Sequence, residues 1–184
     1  MFMHKKIIGT VLVAGLLAAC ASTSDMTSSP APTRGPNLGA TPSAAMLAAM
    51  DISIAPSGAG LPAGSGTVTQ GKAVYDAKCQ TCHGGKGEGK PADPLAGGIG
   101  SLASGKPMRT VGSYWPYATT LFDYVRRAMP TNAPMTLTNE EVYAVSAYVL
   151  FLNGIVPESA VMTAQTLPQV KMPNRDGFID YSRK

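Results

Sequence analysis

The sequence predicts an all-α domain of three main helices, with long irregular N- and C-terminal extensions. Three observations carry that prediction. Between Thr119 and Met129, the residues Leu121, Phe122, Val125 and Ala128 make one apolar helical face, and Pro130 ends the run. A capping box, Thr138-x-x-Glu141, opens a second periodic stretch in which Val142, Val145, Val149 and Leu152 recur at helical spacing before Asn153-Gly154 closes it. Gln70 to Cys79 reads as the third helix, first in chain order, with Gly71 and Tyr75 four apart on one face. Charged residues are only 14% of the 184, and Gly and Pro number 20 and 15, so a compact, loop-rich domain suits the composition better than a long bundle.

Taken in order, residues 1–19 have the proportions of a signal peptide. Lys5 and Lys6 precede an apolar run from Ile7 to Ala19 that ends in small residues and is too short for a comfortable membrane span. The end of that run, Leu17-Ala18-Ala19-Cys20, resembles the lipobox of bacterial lipoproteins, which implies acylation of Cys20 and a protein anchored on the periplasmic side of a membrane. Without Lys5 and Lys6, 13 basic residues face 11 acidic ones. No basic stripe with interleaved aromatics appears, so the sequence gives nucleic-acid binding no support. Residues 20–50 are rich in Ser, Thr, Pro, Ala and Gly, which reads as a flexible tether with a root-mean-square span of roughly 30 Å. Met46, Leu47, Met50 and Ile54 sit at helical spacing, so the arm and Gly/Pro-rich linker of residues 51–66 is expected to start from a short segment packed on the main domain.

The folded domain is expected to span residues 67–155. Its first helix runs into Cys79-Gln80-Thr81-Cys82-His83, the C-x-x-C-H signature of a covalently attached c-type haem. Two thiols three positions apart lie near one side of a helical turn and can reach the two vinyl groups of one porphyrin. The adjoining His83 is then carried beneath the ring as proximal iron ligand. A redox dithiol would need a βαβ context, which the sequence lacks, and zinc would need two more ligands. The only other histidine and cysteine, His4 and Cys20, fall in the targeting segment. One covalent haem c is therefore expected.

After His83, residues 84–100 form a glycine-rich loop. Gly84 to Lys90 mimics a phosphate-binding loop, but Pro91 stands where Ser or Thr must hold magnesium, and no apolar strand precedes it. In the next helix Asp123 is placed in the first turn and Arg126 and Arg127 near the end, which suits the helix dipole. Residues 156–184 have scattered prolines and few periodic apolar positions, and are expected to wrap over the domain surface.

Helix, C-x-x-C-H, glycine-rich loop, methionine-bearing segment and C-terminal helix together resemble class I cytochrome c over about Thr67 to Asn153, with Gly71, Tyr75 and Tyr148 fitting the packing of first on last helix. The stretch from Thr110 through Tyr114-Trp115-Pro116-Tyr117 to Arg126-Arg127-Ala128-Met129-Pro130 is similar to the cytochrome subunits of bacterial sulfane and sulfite dehydrogenases, including the Sox-type haem subunit. So are Glu141 to Tyr148 and the tail Met172 to Phe178. The resemblance implies an electron-transfer subunit, itself non-catalytic. It would take electrons from a molybdenum sulfite or sulfane dehydrogenase and pass them to a downstream cytochrome or oxidase.

Two methionines, Met129 and Met135, lie at a suitable distance after the haem motif to supply the sixth ligand, and Met129-Pro130 matches the methionine-proline ligand segment of the resembling family. Iron is thus expected between His83 and Met129. The free imidazole N–H of the proximal histidine needs a carbonyl acceptor, for which Pro94 is the expected source. Arg109, Tyr114 and Trp115 carry donors suited to haem propionates, although Trp115 reads equally well as core. The competing functional reading is a haem enzyme or sensor with an open or labile sixth site for a small ligand.

Overall fold

The computed structural model describes residues 39–179 and 181–183. The expected targeting segment, Cys20 and most of the expected tether lie outside these residues. Helix α1, Ala44–Met50, opens the described chain and buries none of its residues; Met46, Leu47 and Met50 are exposed. The packed arm begins later, at Ile54 and Leu61, which lie against the core, and Tyr143 donates its hydroxyl to the Pro62 carbonyl at 2.8 Å.

Helix α2, Val68–Lys78, starts from a capping box in which the Thr67 hydroxyl accepts from the Gln70 N–H and the Gln70 side chain accepts from the Thr67 N–H. A single-turn helix α3, Gln80–His83, follows, and a short helix α4 spans Val111–Tyr114. Helix α5, Ala118–Ala128, buries Leu121 and Phe122 and ends at Pro130. Asp123 lies past its first turn, one turn before Arg127, whose Nε donates to it at 2.9 Å; that ion pair, not the helix dipole, accounts for it. Helix α6, Asn139–Leu152, has the expected Thr138/Glu141 box and is buried almost all round, from Val142 to Leu150. It is the central element of the domain.

Helix α2 crosses α6 at Gly71. A methyl group at that position would overlap the Ala144 carbonyl, so only glycine lets the backbones approach this closely. Tyr75 and Tyr148 fill the space beside it, with ring centroids 5.2 Å apart. A two-stranded antiparallel sheet adds to the predicted helices: β1, Ser65–Thr67, pairs with β2, Val161–Thr163, with Gly66 opposite Met162. Here the tail departs from the expectation of surface wrapping. Met162, Leu167 and Met172 are buried in the core, so this part of the tail enters it. Apolar residues at fives follow neither the helical nor the strand period, and an irregular chain can still bury them.

Lys78 of α2 and Glu141 of α6 form an ion pair at 2.7 Å. The Lys78 ammonium first, and then the Thr138 N–H, hold the Glu141 carboxyl below its ordinary pKa. A carboxylate with a depressed folded-state pKa stabilises above its unfolded value of about 4.3 and loses that contribution as the pH falls through the folded-state value. Glu141→Gln keeps a capping side chain but no charge, so it should cost about 0.5–1 kcal/mol at neutral pH. The difference should shrink to nothing in acid, as read from denaturant unfolding at several pH values. An equal difference at every pH would exclude an ionic origin.

Candidate haem site

Helix α2 breaks at Cys79, whose φ of −124° and ψ of −40° turn the chain into α3. The N–H groups of Cys82 and His83 both return to the Cys79 carbonyl, at 3.1 and 3.0 Å. This one turn therefore holds both thiols and the imidazole. Cys79 is half-buried, Cys82 is exposed, and neither is in a disulfide. Burial pushes the Cys79 thiol up to about 11, so it stays protonated at neutral pH. A redox-active dithiol needs the opposite, a thiol made acidic by nearby positive charge.

The His83 ring is fixed from behind. Its Nδ1 lies 2.8 Å from the carbonyl oxygen of Asp93. A carbonyl can only accept, so Nδ1 carries a proton and Nε2 is the nitrogen left to face a metal. The expected carbonyl was that of Pro94; the one in place belongs to the preceding residue. The loop delivers it by closing back on the motif. The Ala92 N–H donates to the Cys82 carbonyl at 2.9 Å and the Gly89 N–H to the His83 carbonyl at 2.8 Å, while the Tyr75 hydroxyl donates to the Gly84 carbonyl at 2.7 Å. Burial raises that phenol to about 12, so it remains a donor throughout the physiological range.

Asn153 secures the far end of the loop, a role the sequence reading missed by treating it only as a helix end. Its Nδ2 donates to the Leu95 carbonyl at 3.0 Å and to the Val149 carbonyl at 2.9 Å, and its Oδ1 accepts from the Gly97 N–H at 3.2 Å. A buried asparagine directly after a buried apolar helix was the available signal.

Met129 caps the C-terminus of α5 with its N–H on the Val125 carbonyl, and its side chain is half-buried. Thr131 donates its hydroxyl to the Met129 sulfur at 3.5 Å. Met135 is 65% exposed and occupies a left-handed conformation, with φ of 62°. Arg109 and Trp115 make their contacts with tyrosines. The Arg109 guanidinium lies 5.4 Å from the Tyr114 ring centroid, and half-buried Trp115 meets Tyr124 edge-on at 5.6 Å while packing on the core.

Among the described residues, no group of three or more His, Cys, Asp or Glu side chains is placed to hold a bare metal ion. Two thiols and an imidazole on one turn instead fit a porphyrin: the thiols would attach its edge and Nε2 would ligate its metal. Bound there, haem supplies a one-electron ferric–ferrous couple.

Comparisons with known proteins agree with this geometry. The model of the cytochrome c family matches residues 68–153. A chain in the crystal structure of the sulfane dehydrogenase SoxCD from Paracoccus pantotrophus is similar at 40% identity and a TM-score of 0.75, over 80% of this chain and 73% of that one. No curated protein sequence matches. With the attachment turn, the fixed proximal imidazole and a relative of this identity over most of both chains, the protein belongs to the cytochrome c family and binds haem c for electron transfer.

Proposed function

We propose that the protein is a periplasmic monohaem electron-transfer subunit, anchored through a lipidated Cys20. It takes electrons from a molybdenum sulfite or sulfane dehydrogenase and passes them to a downstream cytochrome or oxidase. His83 carries the reading: its Nδ1 is committed to the Asp93 carbonyl, which leaves Nε2 for iron, and His4 is the only other histidine in the sequence. No second imidazole is left in the domain for acid–base or nucleophilic catalysis, which favours the outer-sphere movement of one electron. Met129 completes the iron. Its half-buried thioether at the end of α5 suits a closed site better than exposed Met135 does, and a thioether opposite histidine raises the potential. The 40% identity to a chain of a sulfane dehydrogenase supports sulfur compounds as the electron source, and Leu17-Ala18-Ala19-Cys20 supports the anchor.

The test uses protein extracted from membranes. Mass spectrometry should find an acylated Cys20 at the N-terminus, and sulfite or a sulfane substrate with the dehydrogenase subunit should reduce the haem rapidly. A mature chain lacking Cys20 would end the anchor, and a haem left oxidised by every such donor would end the assignment of partner.

A further inference from the structure

The contact between Thr131 and Met129 lies outside the hydrophobic core. Thr131 is an exposed residue, yet its hydroxyl is directed at the Met129 sulfur, 3.5 Å away. Thioether sulfur is a weak acceptor, so such a bond forms where the chain holds both partners in place. Here it does. The Met129 N–H is fixed to the Val125 carbonyl at 3.1 Å, Pro130 restricts the intervening backbone, and the Pro130 carbonyl accepts from the Ala133 N–H at 2.9 Å, closing a turn around Thr131. The branched Cβ of threonine leaves its hydroxyl few rotamers.

We propose that Thr131 is a positioning residue for the axial sulfur: its hydroxyl occupies one sulfur lone pair, directs the other at the iron and raises the reduction potential. The inference rests on Met129 being the sixth ligand. A thioether has two lone pairs, and a hydroxyl bound to one fixes which remains for the metal. The same bond draws electron density from sulfur, making it a poorer donor to the oxidised, more electron-demanding metal. The oxidised state is then less favoured, and the potential rises. Outer hydrogen bonds to a metal's ligands tune the metal in this manner.

Thr131→Val removes the hydroxyl and puts a methyl of similar size in its place. In the purified holoprotein the midpoint potential should fall, and the long-wavelength sulfur-to-iron band of the oxidised form should persist at a shifted position. Thr131→Ser, which keeps the hydroxyl and drops the methyl, should restore both. Thermal unfolding of the two variants should match the parent, which separates tuning from a packing defect. Equal potentials in the parent and Thr131→Val would overturn the inference, as would a serine variant that behaves like valine. Failure of the ligand reading itself looks different: Met129→Ala would then keep the band, or the parent would lack it, and the role of Thr131 would fall with it.

Discussion

Gly71→Val is expected to abolish the accumulation of folded holoprotein, and Gly71→Ala to lower thermal stability by roughly 6–12 °C or more. The reason is which atoms a side chain would strike. A β-carbon at Gly71 would overlap the carbonyl of Ala144, with the Tyr148 Cβ close behind. A flexible side-chain tip can swing away, but the backbone of a buried helix cannot. Relief requires α2 and α6 to move apart, which opens the Tyr75–Tyr148 contact and shifts the turn carrying Cys79, Cys82 and His83. Overpacking typically costs 1–3 kcal/mol, and a backbone overlap sits at or beyond the top of that range; alanine's better helix propensity returns only about 1 kcal/mol. A domain of this size loses roughly 3–6 °C per kcal/mol. Valine adds two more carbons at the same place. Haem staining of cell fractions reads the valine variant and a circular-dichroism melt reads the alanine variant. An alanine variant that melts with the parent would mean that the helices cross elsewhere.

The crossing also shows what the sequence made visible. Gly71 and Tyr75 were legible because a helix imposes a spacing, and a small residue one turn before an aromatic on that spacing has a geometric meaning. Gly66 does the same work and was not legible. A methyl there would overlap the Ala144 N–H, but Gly66 lies in β1, whose partner strand is about a hundred residues away, and local pattern cannot reveal a pairing so distant. Helix α5 was read within one residue because Pro130 and an apolar face bound it. The Thr67/Gln70 capping box that starts α2 is equally visible in the sequence, with Gln in the place that Glu takes in the α6 box.

At the site, side-chain chemistry was readable and backbone chemistry was not. Cys79, Cys82 and His83 declare themselves by type and spacing. The carbonyl behind His83 belongs to Asp93, and since every residue has a carbonyl, only the path of the loop decides which one arrives. The hydroxyl of Thr131 on the Met129 sulfur was invisible for a related reason: it depends on a turn closed by Pro130 and Ala133. Buried Met162, Leu167 and Met172 had no period to betray them.

Met129→Ala should eliminate the long-wavelength sulfur-to-iron band and lower the reduction potential by on the order of a few tenths of a volt, within the span of about 0.8 V that axial ligands command. The loss should be confined to the iron's sixth side. Cys79 and Cys82, on either side of the turn into α3, would still hold the porphyrin covalently, and the Asp93 carbonyl would still orient His83, so the haem stain should survive a denaturing gel. Met135→Ala should leave the spectrum as it is. Its side chain is 65% exposed, and an alanine in the same left-handed backbone gives up little that was buried. Met129→His separates coordination from packing: imidazole is the stronger donor to oxidised iron, so this variant should stay closed to added ligands, without the sulfur band and at a lower potential than the parent. Spectroelectrochemistry on the three variants reads all of this at once. If Met135→Ala were the change that loses the band, the sulfur would come from the turn after Pro130 and the closed-site reading would transfer to it. If the band survived in both alanine variants, neither methionine would be the ligand, and the competing role, small-ligand binding at a labile site, would become the reading to pursue. The half-burial of Met129 beside a hydroxyl already committed to its sulfur is the physical ground for expecting neither result.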